Sequence, residues 1–235
     1  VERLWLLLRR VQGLGIQTIA GDIVLDHSAF EPAALDPGSF DGEPLRPYNA
    51  SADALLINFK SVVMSFTPDR AAGVARIAYE PPLAGVQMQA TVPLATATAQ
   101  CGDYRASLQA DLSSPARIQF GGVYPAACGE RVWALAYADP ASYAARAVEG
   151  MWKEVGGKLS GRVRSGPVPA GLKPVFQASS PPLAETIRDI NKYSNNVMAQ
   201  QVFLTLSLQQ KGSGTTEGLR TLLRQWWTQR IGGNS

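Results

Sequence analysis

Short apolar runs, each ended by Pro, Gly or Asp, fill the chain from about residue 54 to residue 135. They recur at intervals of roughly 10–15 residues, and runs of this length with turn residues between them are typical of strands. The runs are ALLINFKSVVMSFTP, VARIAYEPP, VQMQATVPL, YRASLQADL, ARIQFGGV and RVWALAYA. This part of the chain is therefore predicted to form a β-rich module.

Helical patterns lie on both sides of this module. Residues 2–12 and 143–155 carry apolar side chains at helical spacing, whereas residues 16–26 and 158–166 read as strands. The segment 27–51 is a long loop, which in a compact domain is either functional or a crossover. After a turn-rich junction at 166–174, the pattern predicts three helices that begin near Pro182, Asn196 and Thr216.

We therefore expect an α+β fold in two parts. Residues 1–170 would form a β-rich region with flanking helices, with an inner subdomain at about residues 50–135, and residues 171–235 a helical segment. Trp226 and Trp227 are expected to anchor the last helix to the core.

The charge pattern argues against a nucleic-acid-binding surface. The formal net charge is +3, the basic residues are scattered, and no run alternates Lys or Arg with stacking aromatic side chains. A mildly basic surface is compatible with peripheral association with an anionic membrane. A membrane-spanning helix is not predicted, because no apolar stretch reaches about 18 residues.

The two ends of the sequence resemble cuts in a longer chain. The opening VERLWLLLRR is a poor signal peptide, because charges flank a short apolar run and no A-x-A site follows. The first residue is Val rather than Met. We therefore interpret the sequence as an internal segment of a longer protein.

The chain has two cysteines, Cys101 and Cys128. Two thiols are too few for a zinc site of cysteines alone, and the single histidine, His27, is remote in sequence, so no metal site is predicted. The cysteines could close a loop of about 28 residues or be two unrelated buried thiols, and their spacing does not decide between these alternatives.

The stretch KYSNNVMAQ, residues 192–200, joins two predicted helices. Ser194 offers a hydroxyl that can pass a proton, and Asn196 offers a carboxamide that can both donate and accept hydrogen bonds. A hydroxyl and an amide facing one cleft would suit acyl transfer. The alternative is ordinary capping, in which Ser194 or Asn195 simply caps the helix that follows.

The wider stretch SSPPLAETIRDINKYSNNVMAQQVFLTL resembles the second-motif region of the class C low-molecular-mass penicillin-binding proteins, the DacB-type D-alanyl-D-alanine carboxypeptidases and endopeptidases. The family pattern is P-L, a helix, then K-x-S-x-N-x-x-A, supplied here by Pro182, Leu183, Lys192, Ser194, Asn196 and Ala199. Upstream, GDIVLDHSAF and YNASADALLINFKSV are similar to the family's inserted region.

The resemblance implies a fold and a reaction. The fold would be β-rich inserted domains followed by the helical part of a penicillin-binding, serine β-lactamase-like transpeptidase domain. The reaction would be cleavage of peptidoglycan stem peptides through a penicillin-sensitive acyl-enzyme, without a cofactor. Ser194 would act in the proton relay to the leaving amine and Asn196 would bind the substrate amide. Lys192 is assigned no catalytic role, because a cation near a helix C-terminus is the favoured interpretation of this residue.

Two motifs of the family are missing from these 235 residues, since neither S-x-x-K nor K-T-G occurs. If the chain is an internal segment, the first motif would lie upstream and the third downstream. The chain alone is therefore expected to be inactive. One alternative is a non-catalytic periplasmic muropeptide-binding module of the same fold. A β-lactamase-like hydrolase is disfavoured by the large β-rich region ahead of S-x-N.

The resemblance also suggests two substrate-binding residues. Asp26 and Phe30 match an acidic and an aromatic residue that approach the diaminopimelate side chain in the family, although Asp26 could instead satisfy its own turn. His27 has no visible partner and is expected to be an exposed loop residue. A periplasmic location would favour a Cys101–Cys128 disulfide. The oligomeric state is not predicted.

Overall fold

The computed structural model describes residues 1–31, 36–39 and 41–232, so residues 32–35 and 40 of the predicted loop lie outside it. Two compact units can be distinguished. The first contains Val1–Ile23, Leu45–Pro47 and Lys60–Val163, and the second contains Val24–Pro44, Tyr48–Phe59 and Arg164–Ser235. Helices and strands are mixed in the chain, which confirms the α+β class.

The first unit is built on two sheets, whose strands are β3 Ser61–Asp69, β4 Val74–Glu80, β5 Gln87–Met88, β6 Thr91–Pro93, β7 Ala110–Asp111, β8 Arg117–Phe120 and β9 Arg131–Ala136. One is a four-stranded antiparallel sheet with the order β6-β4-β3-β9, and the long strands β3 and β4 form a hairpin at its centre. The other is a three-stranded sheet with the order β5-β8-β7. The predicted β-rich module is confirmed.

Aromatic side chains fill the interior of this module. Phe66 lies in β3 and is fully buried, with its ring edge-on to Phe120 at 5.5 Å and stacked on Tyr124 at 5.6 Å. Such pairs contribute about 0.5–1.5 kcal/mol each beyond the burial of their area. β3 alternates buried and half-buried positions, as expected for a strand with one face on a core.

Two helices pack together at one side of the first unit. They are α1 Glu2–Gly13 and α3 Pro140–Glu154. Leu8, Met151 and Trp152 form a buried cluster between them. The Trp152 indole N–H donates to the carbonyl of Lys158 at 3.0 Å, so its one polar atom is satisfied in the core. The helix predicted at 143–155 therefore exists, but it begins earlier, with Pro140 in its first turn.

The strands predicted at 16–26 and 158–166 are each divided in two by a tight bend. β1 Thr18–Ile19 pairs in parallel with β10 Lys158–Leu159, and β2 Ile23–Leu25 pairs with β11 Val163–Ser165. The two bends lie side by side, Gly21 between β1 and β2 and Gly161 between β10 and β11. Glycine permits this close approach, because a Cβ at position 161 would come within 2.5 Å of the Gly21 carbonyl oxygen.

The run YRASLQADL was predicted as a strand, and this prediction was wrong for its first half. Tyr104–Leu108 is a short helix, α2. Asp103 caps it by accepting from the N–H groups of Arg105 and Ala106, and Gln109 ends it in the left-handed conformation. The local cap therefore outweighed the strand-like pattern.

The second unit contains three consecutive helices. They are α4 Leu183–Tyr193, α5 Asn196–Lys211 and α6 Thr216–Arg230, in agreement with the three that the sequence predicts. Each later helix begins with a side-chain cap, from Asn195 for α5 and from Thr215 for α6. Among the described residues, no helix combines the length and apolar composition needed to cross a membrane.

The prediction that Trp226 and Trp227 anchor α6 was wrong for this chain. Leu219, near the start of the helix, is buried, whereas the two tryptophans are 52% and 51% exposed. In the described part of the chain, the packing of α6 is therefore confined mainly to its N-terminal half.

Cys101 and Cys128 form a disulfide, with their Cα atoms 4.6 Å apart. It lies within the β-rich module, where the family resemblance placed it. The bond closes a loop of about 28 residues, which restricts the unfolded chain and stabilises the fold by about 3–4 kcal/mol in the chain-entropy model.

We expect a Cys101→Ser, Cys128→Ser double variant to lose about 3 kcal/mol of unfolding free energy, because its unfolded state regains loop entropy. The measurement is denaturant unfolding of the purified chain under oxidising conditions. Reduction of the unmutated chain is the matched control and should give the same loss. Equal midpoints for oxidised wild type and double variant would contradict this account.

Candidate active site

The predicted catalytic residues lie at the corner between α4 and α5. Ser194 follows the last residue of α4 and has a left-handed backbone, with φ 50° and ψ 44°. The carbonyl of Ile190 accepts from the N–H groups of both Ser194 and Asn195, which ends α4 sharply. A left-handed conformation costs a non-glycine residue roughly 1–2 kcal/mol, so the flanking helices must hold Ser194 there.

Asn195 performs the capping at this corner. Its Oδ1 accepts from the Met198 N–H at 3.0 Å, and its backbone carbonyl accepts from the Ala199 N–H at 3.0 Å. The middle residue of Ser-Asn-Asn is therefore the structural one. The alternative that the sequence left open, ordinary capping, applies to Asn195.

Ser194 and Asn196 flank the capping residue, and both are exposed. Within the described residues neither side chain makes a hydrogen bond, although the hydroxyl and the carboxamide can each donate and accept. Both groups are thus available to a ligand at the helix corner. Lys192 lies in the last turn of α4, with its ammonium 5.1 Å from the centre of the Tyr193 ring.

Asp26 follows β2 and is held by two backbone groups. Its Oδ1 accepts from the Ser28 N–H at 2.8 Å and its Oδ2 from the Val168 N–H at 2.9 Å. Hydrogen bonds from Ser28 and then from Val168 lower the pKa of Asp26 to about 2, so the side chain is a carboxylate at neutral pH. The turn that the sequence offered as an alternative role is present. Oδ2 accepts from the Val168 N–H and can accept one further hydrogen bond.

Phe30 is fastened to the turn between α5 and α6. The backbone of residues 29–31 pairs in parallel with Gly214, whose N–H donates to the Ala29 carbonyl at 2.9 Å and whose carbonyl accepts from the Glu31 N–H at 3.0 Å. The Phe30 ring lies directly over Gly214, where any Cβ would overlap it. This close approach requires glycine at position 214.

The prediction that His27 lacks a partner was wrong. Its Nδ1 lies 2.5 Å from Oδ1 of Asp53, with the side chains 28% and 18% exposed. Because the carboxylate accepts, Nδ1 is the ring nitrogen that carries the proton. The same Oδ1 also accepts from the Leu55 N–H at 2.9 Å.

Gln201, in α5, binds the backbone of Asp53 through both ends of its carboxamide. Its Oε1 accepts from the Asp53 N–H and its Nε2 donates to the Asp53 carbonyl, each at 2.9 Å. Neither Asp53 nor Gln201 is predicted from the sequence as part of the site. They are 148 positions apart in the sequence, and helical or strand periodicity does not indicate a contact over such a separation.

All of these residues belong to the second unit. The structure brings Phe30 to the turn that follows α5, the helix that Asn196 begins, and it ties Asp26 to Val168. Among the described residues, no three His, Cys, Asp or Glu side chains are grouped so that they could hold a metal ion.

Comparison with known proteins identifies the family. A family model for the D-Ala-D-Ala carboxypeptidase 3 (S13) family matches residues 1–230. The chain belongs to this family. The match confirms the family that the Ser-Asn-Asn stretch indicated, and it extends over residues 1–230 of the S13 chain.

Solved structures support the fold of the S13 chain. The crystal structure of penicillin binding protein 4 (dacB) from Haemophilus influenzae is 19% identical, with a TM-score of 0.66 over 95% of this chain and 50% of that one. The same protein complexed with a novel β-lactam is 21% identical, with a TM-score of 0.58 over 100% of this chain and 49% of that one. This chain therefore spans about half the length of these structures. No curated protein sequence matches it.

We expect Gly214→Ala to destabilise the S13 chain by about 1–3 kcal/mol, because the new methyl group would overlap the Phe30 ring and lie about 2.9 Å from the Leu204 carbonyl oxygen. Denaturant unfolding would measure the change. Gly13→Ala is the control, since its Cβ would meet nothing within 4 Å and should leave stability unchanged or slightly raised. Equal stability of the two variants would show that Phe30 does not depend on this glycine.

Proposed function

We propose that the protein containing this chain is a serine-type D-Ala-D-Ala carboxypeptidase and endopeptidase of the periplasm. It would act on peptidoglycan stem peptides through an acyl-enzyme, and β-lactam antibiotics would inhibit it. The proposal is supported by membership of the S13 family and by one observation at the α4–α5 corner. Asn195 takes the capping role, so that Ser194 and Asn196 are left with unengaged polar side chains among the described residues.

In the proposed reaction a serine of an S-x-x-K motif attacks the carbonyl carbon of the penultimate D-Ala. The bond from that carbon to the nitrogen of the terminal D-Ala breaks, and the leaving amine takes up a proton. Water then hydrolyses the serine ester and releases the shortened stem. Neither S-x-x-K nor K-T-G occurs in these 235 residues, which are therefore expected to be inactive alone.

Ser194 and Asn196 would supply two functions to this reaction. The Ser194 hydroxyl both donates and accepts, so it would pass the proton that the leaving amine needs. The Asn196 carboxamide would donate to the carbonyl of the substrate amide and hold the peptide against the nucleophile. The left-handed backbone of Ser194 sets the direction of its Cα–Cβ bond, and hence the side of the corner from which the hydroxyl extends.

Asp26 and Phe30 would bind the side chain of the stem peptide. Asp26 is ionised at neutral pH and could pair with a side-chain ammonium through its remaining lone pairs. Phe30 is half-buried and would offer an apolar surface to the methylene groups of the same side chain. A disulfide at Cys101–Cys128 is consistent with an oxidising compartment such as the periplasm.

The test is the activity of the full-length protein with Ser194→Ala and Asn196→Ala. Loss of a proton relay should lower kcat/KM for release of D-Ala by about 10²–10⁴-fold, and loss of the Asn196 donor by about 10²–10³-fold. Covalent labelling by a fluorescent penicillin would be measured alongside, and both variants should label more slowly than wild type.

Asn195→Ser is the matched control, because serine also caps helices well and should keep activity within a few fold. If Ser194→Ala and Asn196→Ala retain the activity of Asn195→Ser, the assignment of these two residues is wrong. If wild type is neither labelled by penicillin nor able to release D-Ala, the enzyme proposal itself fails.

A further inference from the structure

We propose that Gln201 is a positioning residue that fixes the side-chain-binding segment at Asp26 and Phe30 relative to the catalytic corner at Ser194 and Asn196. The inference rests on the proposed function and adds a determinant of substrate specificity to it. Gln201 would touch no substrate. It would act through Asp53 and His27, which connect α5 to the residue next to Asp26.

The first step is the contact between Gln201 and Asp53. A carboxamide that accepts from an N–H and donates to the carbonyl of the same residue fixes that residue in both position and orientation. Alanine could do neither. Glutamate could accept from the N–H but could not donate to the carbonyl.

The second step is the contact between Asp53 and His27. The carboxylate accepts from the His27 ring at 2.5 Å and from the Leu55 N–H at 2.9 Å, so the side chain of Asp53 is itself fixed in direction. His27 lies next to Asp26 in the chain and three residues before Phe30. A displacement of Asp53 would therefore move His27 through their hydrogen bond, and Asp26 is the residue next to His27.

Gln201 lies on α5, the same helix that begins at Asn196. It follows Asn196 by five residues, which is about 7.5 Å along a helix that begins at Asn196. A helix is stiff over this distance, so the first turn of α5 and the backbone of Asp53 keep a fixed separation as long as the Gln201 contact is made. All of these residues lie in the second unit.

The segment 26–31 is thus attached to α5 at two points. One is the chain Gln201–Asp53–His27 near the N-terminal half of the helix, and the other is the pairing of residues 29–31 with Gly214 after its C-terminus. Two attachments fix the orientation of this segment relative to α5, whereas a single attachment would let the segment rotate about it. Asp26 is also bound to the Val168 N–H, so loss of the Gln201 contact should let Asp26 and the Val168 segment shift together relative to α5, while Phe30 stays near Gly214.

The consequence concerns one class of substrate. A D-Ala-D-Ala peptide with a side-chain ammonium would use Asp26 and the catalytic corner together, and a misplacement of about 1 Å between them would weaken its productive binding. A penicillin has no such side chain and would use the corner alone. Loss of the Gln201 contact should therefore slow cleavage of the peptide that carries the ammonium and leave acylation by penicillin unchanged.

The experiment compares two substrates in the full-length protein, a D-Ala-D-Ala peptide with a free side-chain ammonium and the same peptide acetylated at that ammonium. Gln201→Ala should lower the ratio of their kcat/KM values by about tenfold, mainly through KM of the charged peptide, and Gln201→Glu by a smaller factor. Acylation by a fluorescent penicillin should stay within about twofold of wild type in both variants.

Gln200→Ala is the matched control. Gln200 is the preceding residue of α5, is also partly buried and makes no side-chain hydrogen bond within the described residues. It should leave the substrate ratio at the wild-type value. In an Asp26→Asn background, Gln201→Ala should produce no further change in the ratio, because the two substitutions would remove the same preference.

The outcomes separate the two proposals. An unchanged substrate ratio in both Gln201 variants, with normal penicillin acylation, would overturn the positioning role and leave the enzyme proposal intact. The positioning role would also be overturned if Gln201→Ala lowered the substrate ratio in the Asp26→Asn background as much as it does in wild type. If Gln201→Ala does not fold, Gln201→Glu, which keeps the volume and one hydrogen bond, decides the question by the same ratio. A wild type without acylation or D-Ala release would remove the function on which the inference rests.

Discussion

The hydrogen bond from the Met198 N–H to the Asn195 side chain organises the site on which the functional account depends. Two helices meet here with two residues between them, and the first N–H groups of α5 require an acceptor. Had Ser194 or Asn196 supplied it, that side chain would be occupied. Because Asn195 supplies it, the hydroxyl on one side and the carboxamide on the other are exposed and carry no local hydrogen bond within the described residues.

A second feature of the same unit is that functional candidates from distant parts of the sequence are tied to α5. Phe30 is paired with the turn after this helix, and Asp53 is held by a carboxamide on it. Asp26 is bound instead to Val168, in the segment that leads towards α4. The helix that begins at Asn196 therefore serves as the common support for residues that the sequence separates by more than 140 positions.

Periodicity and capping residues were sufficient to predict the three helices of the second unit and the β-rich module of the first. They were less reliable where a local contact competed with the pattern, as at Asp103, whose cap turned an expected strand into α2. Resemblance to a family located the Ser-Asn-Asn corner, which S-x-N alone could not have distinguished from a cap. The partner of His27 could not be predicted, because the Asp53 carboxylate lies 26 residues away in a loop without periodic pattern. The exposure of Trp226 and Trp227 could not be predicted from the sequence either, because a helical pattern does not specify which neighbouring residues cover a side chain.

We propose that Ser194 and Asn196 both contact the substrate from the two sides of one cap, Ser194 at the leaving nitrogen and Asn196 at the amide carbonyl. A crystal structure of the full-length protein acylated by a β-lactam would test it most directly. We expect the Asn196 carboxamide within about 3 Å of the ligand's amide carbonyl oxygen, and the Ser194 hydroxyl at a similar distance from the nitrogen that leaves on acylation. A well-ordered acyl group with both side chains turned to solvent would contradict the account.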